Sequence, residues 1–217
     1  MFAFKKKPKD AEGVEFLKFC ECNFGARVGP IHVLPSSSKG LPDISTFFWH
    51  DCPEPGMMTV VSYGLSLMQK REWIKGRPEL MLRLETKDKT WGLAVAAFIH
   101  MFREEKTFQY QTILTADEPL VAGSEMRGFF TFAPPLAKPE EMTFPSAHGL
   151  PIHLTGFYPI YIEERELLPK IGLEAFWHHE RYDPCSTTRP NLAKIIEPRG
   201  APNGGPAMRP GNPGADR

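Results

Sequence analysis

Histidine, cysteine and carboxylate side chains are the residues of this chain that could bind a metal or transfer protons. The densest group is His178-His179-Glu180, followed by Asp183. A helical zinc site uses two histidines spaced i, i+4, whereas adjacent side chains on a helix point about 100° apart. The spacing therefore favours a polar, solvated helix end, where histidine also suits the negative end of the helix dipole. A metal-dependent enzyme built on His178, His179 and Asp183 is the alternative.

The cysteines Cys20, Cys22, Cys52 and Cys185 are the other possible metal ligands. A structural zinc knuckle separates its cysteines by about two to four residues and combines two such knuckles. The segment Cys20-Glu21-Cys22, even together with His50-Asp51-Cys52, departs from that pattern. We therefore interpret these cysteines as buried free thiols and predict no bound metal.

The remaining motifs do not predict catalysis. The chain has neither a glycine-rich phosphate-binding loop nor a G-x-S-x-G nucleophile turn. His148 and His153 stand beside a predicted turn and strand, where a lone histidine is usually packed and hydrogen-bonded. The acidic pairs Glu104-Glu105 and Glu140-Glu141 are typical of a protein surface. We therefore predict no catalytic residue and no cofactor.

The composition is that of a globular protein and argues against two classes of partner. The chain has 217 residues, of which 41% are hydrophobic, and 26 basic residues balance 26 acidic ones. It thus lacks the basic surplus of nucleic-acid-binding proteins. The run Lys5–Lys9 is interpreted as solvated, with a phosphate or membrane patch as the alternative. The apolar segment Gly92–Phe102 is too short to cross a bilayer, and Met1–Lys5 lacks a signal-peptide core, so we expect a cytoplasmic protein.

Two hydrophobic periodicities divide the chain into strands and helices. The predicted strands are Arg27–Leu34, Met57–Tyr63, Glu79–Glu85, Phe108–Leu114, Gly128–Phe132 and Pro151–Ile162. The predicted helices are Thr90–Glu105 and a second that begins at Glu163. We expect four side chains of the first helix to pack over the alternating leucines Leu80, Leu82 and Leu84, namely Trp91, Val95, Phe98 and Phe102. Because several strands follow one another without helices between them, the predicted fold is α+β, with a largely antiparallel or mixed sheet packed by two main helices.

Three segments are expected along the chain. Residues 1–24 form a partly ordered N-terminal segment, and residues 25–197 form the folded domain. Residues 198–217 are dominated by Pro and Gly and have almost no apolar side chain to bury. Ordering them costs backbone entropy that no burial offsets, so we predict a disordered tail.

The order of several sequence blocks resembles the suppressor-of-fused family. Ser62-Tyr63-Gly64-Leu65-Ser66 is similar to the family's S-F/Y-G-L-S signature, and Glu79–Leu84 is similar to its E-L-x-x-R-L strand. The segment from Trp91 to Phe108 resembles the family's central helix, and Pro151–Glu166 resembles its late strand with the acidic turn that follows. The resemblance covers roughly residues 25 to 185 with the blocks in the family's order.

This resemblance implies a non-enzymatic protein-binding domain with the fold of the family's first lobe. The animal member holds a short peptide of a transcription factor between two lobes, and this chain is long enough for one. Thr59 stands where the animal protein has an aromatic peptide contact, and Leu67 stands where it has an acidic residue. Stand-alone domains of this family resemble bacterial immunity proteins that neutralise a polymorphic toxin, which is the function we expect.

An alternative function is a regulatory adaptor that captures a partner's peptide by strand addition. The candidate edge is Met57–Tyr63 and the turn after it, with the motif residues Thr59, Val61, Tyr63, Gly64, Leu65 and Ser66. Either function implies a protein partner and neither implies nucleic acid or a membrane. The sequence does not specify an oligomeric state.

Overall fold

The computed structural model describes residues 3–5, 10–26, 29, 31–136, 138–147 and 149–196. In chain order the elements are β1 (Ala3–Lys5), α1 (Ala11–Phe24), β2 (Ile31–Leu34), β3 (Ile44–His50), β4 (Met57–Tyr63), β5 (Arg77–Glu85), α2 (Thr90–Phe102), β6 (Ile113–Thr115), β7 (Gly128–Phe132), α3 (Pro139–Met142), β8 (Thr143–Phe144), β9 (Ile152–Ile160), α4 (Glu164–Ile171), α5 (Leu173–Trp177) and a 3-10 turn (Leu192–Lys194). The predicted tail, His148, and most of the Lys5–Lys9 run lie outside the described residues.

The strands form one mixed sheet in the order β1-β2-β3-β4-β5-β9-β7-β6, with β8 beside β9. Strands β5 and β9 are parallel, and the other pairs are antiparallel. The predicted α+β fold with a mixed sheet is confirmed. Strand β3, which pairs with β4 along nearly its whole length, was not predicted from the sequence.

Helix α2 packs on one face of the sheet, as its spacing predicts. Leu80, Leu82 and Leu84 are fully buried in the same cluster as the helix residues Trp91, Val95 and Phe98, and Phe102 is partly buried against it. Gly92 brings α2 close to the sheet, because a Cβ atom there would lie 2.3 Å from the Phe48 ring.

Helix α1 covers the opposite face and was not predicted from the sequence. Asp10 caps it by accepting a hydrogen bond from the Gly13 N–H at 2.7 Å. Phe16, Leu17 and Cys20 of α1 pack against β3, β4 and β5. The centre of the sheet is therefore buried on both faces, so Met81 is as buried as its neighbouring leucines.

One predicted strand differs from the structure. The segment Phe108–Leu114 is mostly a loop, and the strand there is the short β6. Phe108 and Gln111 have positive φ values, a backbone conformation that an apolar pattern does not encode. The predicted last helix is α4, which ends at Ile171, and Gly172, with a φ of +83°, separates it from α5.

The C-terminal segment is anchored by a buried ion pair. Pairing between β5 and β9 ends at Met81 and Gly156, and at the end of β5 the Glu85 N–H donates to the Cys185 carbonyl at 2.8 Å. The Arg189 guanidinium donates to both Glu164 carboxylate oxygens at 2.6 Å and to the Pro159 carbonyl at 3.1 Å. Both charged side chains are almost completely buried.

Candidate functional site

The motif strand β4 is not an exposed edge of the sheet. It lies between β3 and β5 and pairs with both. Thr59, Val61, Leu65 and Ser66 are fully buried and Tyr63 nearly so. The prediction that this edge receives a partner strand is therefore wrong, because strand order depends on long-range pairing with β3. The motif residues have a structural role instead.

The buried carboxylate of Glu79 holds the turn that follows β4. It accepts hydrogen bonds from the Gly64 and Ser66 N–H groups at 2.8 Å and from the Ser62 hydroxyl at 2.5 Å. Gly64 has a φ of +128°, and a Cβ atom there would lie 2.3 Å from the Asp43 carbonyl oxygen. The S-Y-G-L-S and E-L-x-x-R-L blocks thus form one hydrogen-bonded unit.

Burial raises the pKa of the Glu79 carboxyl group, although the hydrogen bonds from Ser62, Ser66 and Gly64 act in the opposite direction. The Ser62 hydroxyl oxygen accepts from the Leu80 N–H at 2.8 Å. This carboxyl group lies inside the fold with each oxygen engaged, which indicates a structural and not a catalytic role.

Arg77 holds both ends of the loop between β4 and β5. Its guanidinium donates to the Ser66 carbonyl at 3.1 Å, to the Leu150 carbonyl at 2.9 Å and to the Glu12 carboxylate at 2.8 Å. In the middle of this loop, the buried indole of Trp73 donates its N–H to the Thr107 carbonyl at 2.9 Å. Contacts to three other segments, at Glu12, Thr107 and Leu150, therefore fix the loop.

Two grooves flank Trp73. One has a volume of about 530 Å³ and is lined by apolar side chains that include Ile74, Phe108 and Tyr110. The other has a volume of about 370 Å³, with Met68 and Leu150 in its wall. A well-formed apolar concavity is the usual place to look for a binding site.

Exposed apolar side chains are concentrated around these grooves. Of the six large hydrophobic side chains exposed in the described part of the chain, three line these grooves: Ile74, Tyr110 and Leu150. Ile74 is 79% exposed and Tyr110 is 55% exposed. A monomeric protein rarely clusters such residues unless they contact a partner. We call the surface formed by Met68, Trp73, Ile74, Tyr110 and Leu150 the Trp73 face.

The backbone around Tyr110 is held in an unusual conformation. Phe108 and Gln111 have φ values of +54° and +67°, which bulky side chains rarely adopt. Phe108 is fully buried, and the Gln109 carbonyl accepts a hydrogen bond from Thr131 Oγ1 at 2.5 Å. These contacts hold the Tyr110 ring outward beside the larger groove.

His153 supports the floor of the larger groove. Its Nε2 atom lies 3.2 Å from the Lys75 carbonyl oxygen and its Nδ1 atom 2.9 Å from Thr143 Oγ1. A Cβ atom on Gly76 would lie 1.9 Å from the His153 ring, so this position accepts only glycine without displacement. His153 is packed and hydrogen-bonded, as its sequence context predicts.

Two side chains of the metal-dependent alternative form local hydrogen bonds to backbone N–H groups. His179 accepts a hydrogen bond from the Arg181 N–H at 3.2 Å, and Asp183 accepts one from the Cys185 N–H at 2.8 Å. Within the described ranges, no group of three or more His, Cys, Asp or Glu side chains is arranged to hold a metal ion.

The cysteines of the described chain are free thiols with different surroundings. Cys20 is buried, and burial raises its pKa well above the ordinary value. Cys52 donates a weak hydrogen bond to the Phe24 carbonyl at 3.4 Å, whereas Cys22 is exposed. The prediction of buried thiols is therefore confirmed for Cys20 and wrong for Cys22, and Cys52 and Cys185 are only partly buried.

None of the helices described here combines the length and apolar character that spanning a bilayer requires.

The Trp73 face was not found by sequence reasoning. Its residues come from segments around positions 68–76, 108–110 and 150–155, and no local pattern joins them. The signal available was the apolar pair Trp73-Ile74 within the charged stretch Lys70–Lys75.

Comparison with known proteins gives one family and several solved structures. A model of the family described as "Suppressor of fused protein (SUFU)" matches residues 41–191. A suppressor of fused homologue from Neisseria gonorrhoeae FA 1090 aligns with a TM-score of 0.60 at 16% identity, over 81% of this chain and 93% of that one. A comparison of the chain with curated proteins found no match.

Two further structures share the fold. Drosophila Suppressor of Fused aligns with a TM-score of 0.62 at 13% identity, over 90% of this chain and 53% of the Drosophila chain, so this chain spans about half its length. A chain of the Sufu-Fu complex aligns with a TM-score of 0.58 at 12% identity, over 88% of this chain and 95% of that one.

Proposed function

We propose a protein-binding function for this chain, which belongs to the suppressor of fused family, as its sequence blocks predicted. The observation that carries the proposal is the Trp73 face, where three large apolar side chains are exposed along two grooves. Protein interfaces have apolar centres with aromatic anchors, and this surface has both. The Sufu-Fu complex is an example of a structurally similar protein bound to another.

Rigidity of the surrounding loops supports the same function. Arg77, Glu79 and Trp73 hold the loop between β4 and β5, and the buried Phe108 anchors the loop that carries Tyr110. A surface that is already ordered loses less conformational entropy when a partner binds. The exposed apolar side chains are therefore presented to a partner at little entropic cost.

Side-chain docking on this face is favoured over strand addition. The described sheet has outer strands β1, β6 and β8, which contain three, three and two residues. Strand addition gains affinity from a row of main-chain hydrogen bonds, which such short edges limit. The regulatory adaptor remains a second proposal if its peptide binds in the grooves.

The function can be tested by affinity capture from the native host. We expect Ile74→Asp and Tyr110→Asp to lose a partner that the unmodified protein retains. A carboxylate in an apolar interface should weaken binding about 10-fold or more. Ile195→Asp is the matched control, because Ile195 is also exposed and lies outside the face. Equal capture by all the variants would show that the face does not bind the partner.

The specific role that we propose is that of an immunity protein, whose partner is a toxin encoded beside this gene. Coexpression with that toxin should protect cells, and Ile74→Asp should reduce the protection. The triple change of His178, His179 and Asp183 to Ala should protect as well as the unmodified protein, because binding needs no catalytic group. A folded triple variant without protection would support the metal-dependent enzyme instead.

A further inference from the structure

We propose that the Trp73 face recognises an acidic, extended segment of its partner protein. This inference rests on the proposed function and adds the chemistry of the partner. It comes from the charges beside the two grooves and from the way that Trp73 divides them.

Cations without acidic partners border both grooves. Lys70 and Arg71 line the smaller groove, and Lys75 lines the larger one. Arg71 and Lys75 are exposed, and the Lys70 ammonium group donates to the neutral Glu104 carbonyl at 2.9 Å. None of these three forms an ion pair with another residue that the structure describes.

The other charged residues that line the two grooves do not cancel the positive charge of Lys70, Arg71 and Lys75. Arg77 is paired with Glu12 at 2.8 Å, so the pair is neutral. Glu72 is the one acidic residue among the described residues that line the two grooves. The grooves therefore carry a local positive surplus in a chain whose formal net charge is zero. Such a local field attracts an acidic partner and increases its association rate.

The shape of the face favours an extended segment. Two separate concavities lie on either side of the Trp73 indole, which is fixed by its hydrogen bond to Thr107. A segment that crosses the indole can place one apolar side chain in each groove. Its side chains between and beside these anchors then lie near the three cations, where Asp or Glu complements them.

Binding of three labelled peptides, measured by fluorescence polarisation, tests this inference. The peptides share two apolar anchors and differ in having Glu, Gln or Lys at the intervening positions. At low salt we expect the Glu peptide to bind roughly 3- to 10-fold more tightly than the Gln peptide, because each exposed ion pair contributes little. Added salt should reduce that advantage.

A charge-reversed variant shows whether the named cations cause the preference. Arg71→Glu with Lys75→Glu should make the Lys peptide the tightest of the three. Lys39→Glu with Lys87→Glu is the matched control, since it changes the net charge equally at exposed sites outside the two grooves. This control should leave the order of the peptides unchanged.

Two results would overturn the inference. Equal binding of the Glu and Gln peptides would refute the acidic preference, and failure of every peptide to bind would refute an extended segment. Neither result bears on the proposed function, which the Ile74→Asp capture experiment decides separately.

Discussion

Replacing Glu79 with leucine tests whether the two family motifs form one structural unit. The substitution removes the acceptor of the Gly64 and Ser66 N–H groups but leaves both groups buried. A buried donor without an acceptor costs about 1–3 kcal/mol, so the two together should cost about 2–6 kcal/mol of unfolding free energy. That loss is large for a domain whose total stability is about 5–15 kcal/mol.

Two companion variants separate this mechanism from a general effect of the substitution. Glu79→Gln keeps an oxygen that accepts from both N–H groups, so it should cost less than about 1.5 kcal/mol. Glu85→Leu changes an exposed acid on the same strand and should cost less than about 0.5 kcal/mol. Urea unfolding followed by circular dichroism measures all three. If the unfolding free energy of Glu79→Leu were within about 1 kcal/mol of that of the unmodified protein, the hydrogen-bonded turn would not stabilise the fold.

Stability should also depend on pH through this carboxyl group. Burial raises the pKa of Glu79 above its ordinary value of 4.5, so the folded protein binds this proton more tightly than the unfolded chain. The resulting stabilisation is fully present below pH 4.5 and is lost as the pH rises through the folded pKa. The unmodified protein should therefore lose stability relative to Glu79→Gln over that range. If the unfolding free energies of the two proteins changed equally with pH, the buried Glu79 carboxyl group would not be the cause of the pH dependence.

Three further substitutions test the core, the C-terminal anchor and the groove. Leu82→Ala truncates a fully buried side chain and should cost about 2–5 kcal/mol in urea unfolding, so an unchanged midpoint would contradict its place in the core. Arg189→Ala leaves the buried Glu164 carboxylate unpaired and should cost about 3–5 kcal/mol of unfolding free energy. Arg165→Ala removes an exposed arginine and should cost less than about 0.5 kcal/mol. Similar losses in the two variants would show that the buried ion pair does not anchor the C-terminal segment. Gly76→Ala should lower the melting temperature and weaken partner binding, because its Cβ atom would collide with His153, and no change in either would show that the loop adapts.

Local patterns in the amino-acid sequence determined the central layer of the fold. The alternation of leucines in β5 and the helical spacing in α2 predicted which side chains of the two elements pack together. The prediction was possible because side-chain direction repeats every two residues in a strand and every 3.6 residues in a helix. The order of the motif blocks likewise predicted the family. The first prediction depends on residues that are close in sequence, and the second depends on the order of the sequence blocks.

The tertiary structure decided which surfaces are buried and which remain open. Alternation along β5 directs the Glu79 side chain to the face opposite the leucines, but only α1, packed across the sheet, makes that face interior. Strand β4 became central because β3 pairs with it, and strand order is a long-range choice. The Trp73 face joins three distant segments, so its exposure depends on what the rest of the fold leaves uncovered. Sequence determines periodicity locally, whereas burial is a property of contacts that only the complete packing creates.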